Sequence, residues 1–565
     1  MIPKLSRLTS LGEVLRDSTA TFKGNVALIE ADRHREVRRL SYLELRREAE
    51  RFAARVQGLG FAPGDRLAIL MSNQSRWVIG GMGALWAGAV LVPLDYKLTA
   101  SEQLALLRHA RPRVLLTEFP IFSDLKAEDA GVLSDMHVVV SEPPRGSDLG
   151  GAIAFDSPVA GEFEYVGRQR EDLASIVYSS GTGGLPKGCM LAHDNYLEQA
   201  EVLAELFPME EDEAYFSVLP TNHAVDFMCG MILPFLYGAC VVHQRTLRPE
   251  FLASTMKRYR VTHTALVPRI LKSLRERIEE QLERLPEWQR TALKALMDVN
   301  DLATLKRPSP RLSRMLLAPI HARFGGRLRV IVAGGAFVEP ELAEFFNRIG
   351  LPICIGYGLT EACTVLTVND LSPFRATTVG KPVRGVEIEV RQADAEGIGE
   401  VYARGRTVMR GYLDDPEATR QALLDGWLRT GDLGRIDASG HLRLVGRRKN
   451  MIVTEGGKNI YPEDVEGAFE ALPCEELCVF SERYLWPQRG LGREALTIVV
   501  RPEKQQEHAE LLSAVREYNQ RLADYKRVGS YVLWSDEFPR TASMKIKRPL
   551  LADAVRALVG EAKPL

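Results

Sequence analysis

No part of this chain reads as a leader, a membrane span or a disulfide framework. Met1 to Ala20 carries charges throughout and has no apolar core, so it is not a secretory signal. The seven cysteines are an odd, scattered set with no C-x-x-C pair. Cys474 and Cys478 are four apart, but no second ligand pair completes a zinc site. Such usage suits a reducing compartment, so a cytoplasmic location is expected. The one long apolar run, Trp77 to Leu94, is rich in Gly and Ala and interrupted by Pro93. It reaches only the lower end of the ~17–25 residues that a spanning helix needs, and reads as a buried helix leading into a strand. Repeats and low-complexity tracts are absent. So is any charge excess: 73 Lys and Arg face 74 Asp and Glu, for a net charge of −1. No chain-wide field draws the protein to nucleic acid, which is excluded as a partner, or to an anionic membrane. Peripheral membrane contact stays open.

Two common phosphate motifs are also missing. The Walker pattern needs Gly-Lys-Ser/Thr, but here Pro186 precedes Lys187 and Gly188 follows it. The pattern G-x-G-x-x-G fails because Gly181 and Gly183 are followed by Pro186.

What is present is Tyr178-Ser-Ser-Gly-Thr-Gly-Gly-Leu-Pro-Lys-Gly188, directly after the apolar run Ala174-Ser-Ile-Val-Tyr178. Glycines let a backbone turn tightly and bring its N–H groups to a ligand, and successive N–H groups form a concave anion site. Ser179, Ser180 and Thr182 add hydroxyl donors, and Lys187 adds a full positive charge. A polyphosphate needs all three kinds of group. Taken alone, the stretch also has a plainer, less favoured reading as an ordinary surface turn.

The composition, 45% hydrophobic and 26% charged, is that of a soluble globular protein. At 565 residues the chain exceeds what one core serves. Short β-branched runs at 66–71, 113–117, 137–141, 264–267 and 328–333 alternate with helical patterns, which predicts parallel sheets with crossover helices. Glu276 to Phe324 is highly charged and helical, with a break near Arg307-Pro-Ser-Pro310. After Gly399 short strands and turns predict a small β-rich subdomain.

The loop is followed and preceded by further segments in a definite order. They are Leu85-Trp-Ala-Gly-Ala-Val-Leu-Val-Pro-Leu-Asp95, Leu219-Pro-Thr-Asn-His223, Gly334-Gly-Ala336, Gly356-Tyr-Gly-Leu-Thr-Glu361, Gly399-Glu-Val-Tyr-Ala-Arg-Gly405, Trp427-Leu-Arg-Thr-Gly-Asp432, Gly446-Arg-Arg-Lys449 with Gly456-Gly457, and Pro539-Arg-Thr-Ala-Ser-Met-Lys545. With the loop, this ordered set resembles the AMP-forming acyl-adenylate superfamily of acyl-CoA synthetases, peptide-synthetase adenylation domains and firefly-type luciferases. The resemblance spans nearly the whole chain.

It implies an α/β fold. A large N-terminal ATP- and acyl-binding domain, 1–447, would hold parallel and mixed sheets plus the β-rich subdomain. A small mobile α+β lid, 448–565, would pivot at Lys449. It also implies ATP, Mg²⁺ and CoA as cofactors and a carboxylic acid as substrate. Ser179, Ser180, Gly181, Thr182, Gly183, Gly184 and Lys187 would hold the β- and γ-phosphates. Thr360 would reach the α-phosphate and Glu361 would hold Mg²⁺. Tyr357 would stack on adenine, beside a wall of Gly334, Gly335 and Ala336. Asp432 would accept from the ribose hydroxyls and Arg447 would contact ribose or phosphate. Lys545 would bridge the attacking carboxylate and the α-phosphate, and His223 would orient that carboxylate. After adenylation the lid would swing and present Gly456 and Gly457 to the pantetheine thiol.

Each residue taken singly has a plainer reading. Glu361 could be a first-turn helix acid, Asp432 a turn residue, Tyr357 a core aromatic, Lys545 an exposed tail lysine and His223 a core histidine. The ordered set favours the site.

Two departures stand out. Gly183 occupies a place where the family usually has Thr or Ser, so weaker nucleotide binding is expected. Met544 stands where many members have Gly. The run Met-Lys-Ile-Lys547 and the helical insertion resemble long-chain fatty acyl-CoA synthetases, which leans the substrate towards a medium- or long-chain fatty acid. Ala224 replaces the aspartate that pairs an amino group in peptide-synthetase domains, which argues against amino-acid activation. Phe227, Met228 and Met231 suit an alkyl tunnel and core packing equally. The alternatives are an acyl-AMP ligase that loads a carrier-protein pantetheine or takes an aryl or specialised acid, and a silent nucleotide-binding scaffold. Chain length and oligomeric state are not legible.

Overall fold

The computed structural model describes residues 5–179, 186–304, 307–453, 459–469, 472–486, 495–503, 507–540, 546–559 and 562–565. The β-branched runs form strands close to where their pattern places them: Arg66–Leu70, Val114–Glu118, His137–Ser141, His263–Leu266 and Val330–Ala333. Their side chains are apolar in near-continuous runs because helices cover both faces of a parallel sheet.

Two large sheets result. In the first, six parallel strands lie side by side in the order Val26–Asp32, Cys240–Gln244, Ala214–Ser217, His263–Leu266, Val330–Ala333 and Ile353–Tyr357. Antiparallel strands close both edges. In the second, Leu173–Tyr178, Val90–Pro93, Arg66–Leu70, Val114–Glu118, His137–Ser141 and Ile153–Ala154 run parallel. Gly188–Ala192 and then Gly411–Tyr412 extend that sheet antiparallel beyond Leu173–Tyr178.

The apolar run at 77–94 is a buried helix, Ser75–Trp86, feeding the strand Val90–Pro93. Trp77 and Trp86 are fully buried in a core drawn from both sheets. Among the described residues no helix is long and apolar enough to cross a membrane. The charged helical stretch comprises Pro268–Glu283, Glu287–Thr304 and Pro310–Leu316. It breaks at 307–310 as expected and once more at Leu285-Pro286, where proline can begin a helix but not continue one.

A five-stranded antiparallel sheet built from Val386–Arg391, Gly399–Gly405, Leu423–Leu424, Trp427–Ile436 and Leu442–Arg447 makes the β-rich part. It starts somewhat before Gly399. Beyond Arg447 lie a small hairpin, Ile452–Val453 with Asn459–Ile460, and a four-stranded sheet of Glu476–Ser481, Leu496–Arg501, Val528–Leu533 and Lys563–Pro564. Among the described residues no sheet and no hydrophobic cluster includes residues from both sides of Arg447.

Candidate active site

Three of the singled-out segments leave the same edge of the first sheet. The strands Ala214–Ser217, Val330–Ala333 and Ile353–Tyr357 are parallel, so Leu219 to His223, Gly334 to Ala336, and Tyr357 to Glu361 all follow carboxyl ends on one side. Ligand sites of open α/β sheets form there. The backbone is tight at this edge. A Cβ on Gly334 would lie 2.9 Å from the Gly356 carbonyl oxygen, and one on Gly358 would lie 1.8 Å from that of Thr364. Cys363 and Thr364 adopt φ of +53° and +113° directly after the 3-10 turn Thr360–Ala362. Non-glycine residues hold such angles only when the surroundings dictate them, and they gather at functional sites.

The second sheet brings the phosphate loop to this edge. Leu173–Tyr178 and Gly188–Ala192 form the arms of a hairpin, closed by the Ser179 amide donating to the Lys187 carbonyl at 2.9 Å. Residues 180–185, including Ser180, Gly181, Thr182, Gly183 and Gly184, lie outside the described residues. Lys187 is exposed, with its Nζ 5.0 Å from the centre of the Tyr412 ring. Tyr412 in turn donates its hydroxyl to Glu361 Oε1 at 3.0 Å. Burial, with the Glu361 charge second, pushes the Tyr412 phenol far above its ordinary range, so it stays a donor. The Met409 amide donates to the Glu361 carbonyl at 2.8 Å. Lys187, Tyr412 and Glu361 thus form one chain of contacts between the sheets, leaving Glu361 Oε2 available to a ligand. Within this chain of contacts Glu361 supplies the carboxylate oxygen. Among the described residues no group of three metal-ligating side chains exists. That donor set fits Mg²⁺, which keeps several waters and takes one or two carboxylates plus phosphate oxygens.

Next to it, Tyr357 is buried and donates its hydroxyl to Asp432 Oδ2 at 2.8 Å. Asp432 Oδ1 lies 2.8 Å from Arg447 Nε, and the two residues face each other across the antiparallel pair Trp427–Ile436 and Leu442–Arg447. Asp432 is nearly buried and retains lone pairs beyond these two contacts. Burial alone would lower the Arg447 guanidinium, but Asp432 and the other acids around it raise it above its ordinary value. Lys449, two residues on, is held below its usual range by partial burial and then by Arg447. Gly335, at φ +80°, and Ala336 are exposed.

His223 follows Leu219-Pro-Thr-Asn, and its amide donates to the Pro220 carbonyl at 2.9 Å. Two groups hold this loop. The side chain of Asn73 donates to the Leu219 carbonyl at 2.6 Å and accepts from the Thr221 amide at 2.8 Å. The fully buried Asp226 Oδ2 accepts from Ser217 Oγ at 2.7 Å and Thr221 Oγ1 at 3.0 Å, while Oδ1 accepts from Tyr215 at 3.4 Å. Burial pushes the Asp226 carboxyl up to about 7. A one-turn π-helix, Phe227–Ile232, follows at once, a local irregularity that often marks functional sites. Phe227, Met228 and Met231 are all buried in the core, with Phe227 packed on Trp77 and Tyr196, so they take the packing role of the two that their pattern allowed.

Lys545, Gly456 and Gly457 lie outside the described residues. The flanks of the 541–545 segment do not: Arg540 and Ile546 pair antiparallel, and the Lys547 amide donates to the Pro539 carbonyl at 2.7 Å. Lys547 Nζ lies 3.7 Å from Glu102 Oε1, at the capping box that starts the helix Ala100–Ala110. Seven residues along that helix, roughly 10 Å at its rise per residue, His109 Nδ1 meets the Tyr178 hydroxyl at 2.7 Å, where the phosphate hairpin turns.

Sequence reasoning missed Tyr412, Asn73 and the anchoring role of Asp226. The Tyr412–Glu361 contact spans 51 positions and Asn73–Thr221 spans 148, so no local pattern announces them.

A profile of the AMP-binding enzyme family matches residues 15–413. Long-chain-fatty-acid–CoA ligase FadD15 of Mycobacterium bovis is 30% identical over 431 residues, which cover 74% of this chain and 70% of that protein. The 3-[(3aS,4S,7aS)-7a-methyl-1,5-dioxo-octahydro-1H-inden-4-yl]propanoyl:CoA ligase of Mycobacterium tuberculosis is 30% identical over 533 residues, 92% of this chain and 94% of that one. The crystal structure of the anthranilate CoA ligase AuaEII in complex with anthranoyl-AMP superposes with a TM-score of 0.80 at 23% identity, covering 99% of this chain and all of that one.

Proposed function

The chain belongs to the AMP-binding enzyme family, and from that footing we propose that it is an AMP-forming acyl-CoA synthetase acting on an apolar, medium- or long-chain fatty acid. The observation that carries this reading is the convergence of Lys187, Tyr412 and Glu361 beside Tyr357, Asp432 and Arg447. Those two sets join cationic, hydroxyl and carboxylate groups at the sheet edge where a nucleotide binds.

In the first step a carboxylate oxygen attacks the α-phosphorus of ATP. A new P–O bond forms, the bond to the β-phosphate oxygen breaks, and acyl-AMP and pyrophosphate result. Two anions meet, so positioning and charge neutralisation carry most of the barrier reduction. Lys187, Ser179 and the loop 180–184 hold the leaving pyrophosphate. Thr360 reaches the α-phosphate. Mg²⁺, when bound at Glu361, neutralises phosphate charge. Asp432 keeps lone pairs for the ribose hydroxyls while Tyr357 and Arg447 fix its orientation. Tyr357 and the stretch Gly334, Gly335 and Ala336 flank the adenine. His223 orients the substrate carboxylate from a loop pinned by Asn73 and Asp226. Lys545 enters from a lid, 448–565, whose separate sheets and cores support treating it as a domain apart from 1–447.

In the second step the CoA thiol attacks the acyl carbonyl and AMP leaves. Lys449 is the pivot that moves Lys545 away and brings Gly456 and Gly457 to the pantetheine arm. The two relatives are named for different acids, a fatty acid and a fused-ring propanoate. A bulky alicyclic or aryl acid is therefore the second reading of the substrate, with a carrier-protein thiol the alternative acceptor.

The test is pyrophosphate release and thioester formation from a panel of free acids, with ATP, Mg²⁺ and CoA. Fatty acids of eight or more carbons, a length on the order of that needed to bury several CH₂ groups, should give the highest turnover. Turnover confined to ring acids would reassign the substrate. No AMP from any acid would remove the enzyme reading.

A further inference from the structure

The Glu287–Thr304 helix has two apolar faces. One packs Leu293 and Met297 into the core. The other, roughly 140° away around the helix at 100° per residue, carries Trp288, Ala292, Leu296, Val299 and Leu302. Trp288 is 71% exposed, Val299 50% and Leu302 76%. No described residue covers this stripe, which runs most of the length of an 18-residue helix, about 27 Å. On the following helix, Pro310–Leu316, Met315 is also exposed. An amphipathic helix needs one apolar face, and a second one left in water marks an interaction surface.

Charge identifies the partner. From Leu302 to Val338 the chain has seven Lys and Arg and no Asp or Glu, within a protein whose net charge is −1. Arg327 pairs with Asp212 and Arg329 with Glu213. Arg307, Arg311 and Arg323 have no acidic partner among the described residues; Arg307 is exposed just before the helix Pro310–Leu316, and Arg311 is exposed in its first turn. Asp298, at the margin of the stripe, is neutralised by Arg348. An apolar face with an indole at one end, followed along the chain by exposed arginines without acidic partners, matches a helix lying in the plane of an anionic bilayer.

We propose that the Glu287–Thr304 helix, with Arg307 and Arg311 after it, docks this protein on an anionic membrane surface. Trp288, Leu296, Val299 and Leu302 enter the headgroup and acyl boundary, and Arg307 and Arg311 meet lipid phosphates. The chain as a whole has no field of either sign, so recruitment is local to this face. The claim does not depend on which acid the enzyme activates.

The test is co-sedimentation of the full-length protein with vesicles, without substrates. Partitioning onto phosphatidylcholine mixed with phosphatidylglycerol should exceed that onto phosphatidylcholine alone by about tenfold and weaken with added salt. Val299→Glu with Leu302→Glu should lower binding to mixed vesicles about tenfold, with melting and adenylation of a short water-soluble acid unchanged. Arg307→Glu with Arg311→Glu should erase the preference for anionic lipid. A blue shift of tryptophan emission on adding mixed vesicles should shrink in Trp288→Phe. Equal binding to both vesicle types, or binding indifferent to the glutamate pair, would overturn the proposal. So would self-association in sedimentation velocity that the glutamate pair abolishes, because the face would then belong to a second copy.

Discussion

Two polar clusters flank the carboxyl ends of the first sheet, and they are built differently. Around Asp226 the contacts close on themselves: Ser217, Thr221 and Tyr215 donate to a carboxylate with no exposure. Around Glu361 and Asp432 the contacts leave capacity over, since Tyr412 uses one oxygen of Glu361, and Tyr357 and Arg447 take one contact each on Asp432. The closed cluster can shape the loop that presents His223 but cannot receive a ligand. The open one holds its groups in place with some valence unspent. Burying a polar group without partners is costly, so the difference separates scaffold from site better than residue type does.

The comparison breaks most visibly through Asp226. Its carboxyl ionises near 4 in the unfolded chain and near 7 in the fold. Between those values the unfolded chain has given up a proton that the folded chain keeps. Stability therefore falls as pH rises from about 4 to about 7, by roughly 4 kcal/mol across the window. Asp226→Asn should remove that fall, measured as the difference between wild-type and variant denaturation midpoints against pH. A pH-independent difference would sink the closed-cluster assignment.

The open cluster should register in rates. Lys545→Ala should lower acyl-AMP formation by ~10²–10³ while leaving thioester formation from supplied acyl-AMP intact, and Gly457→Leu should do the reverse. Equal loss of both half-reactions in either variant would defeat the two-state lid. The smallest effect is that of Tyr412→Phe, which removes one hydrogen bond to a charged group. A loss of about tenfold or less in adenylation, with a raised Mg²⁺ requirement and an unchanged melting temperature, is expected. If the melting temperature drops and the Mg²⁺ response stays put, Tyr412 belongs with the closed cluster.

Much of this was legible before folding. The parallel strands announced themselves because a strand buried on both faces is a near-continuous apolar run, as at Val138 to Val140 within His137–Ser141. The helix after Ser75 was told from a membrane span by its glycines and its length. Asp432 and Arg447 were both singled out, but their pairing across two strands was not. Phe227, Met228 and Met231 fitted tunnel and core alike, and only the packing of Phe227 on Trp77 and Tyr196 chose between them.

The sequence by itself determined the ordered motifs, the alternation of strand and helix, and the balance of charge, because each is written in residues close together along the chain. Only the tertiary structure decided that Tyr412 would link Lys187 to Glu361, that Asp226 would seal itself beneath the His223 loop, and that one helix would turn a second apolar stripe to solvent. Those outcomes depend on which surfaces meet when two sheets pack, and contacts spanning tens to hundreds of positions leave no trace in local pattern.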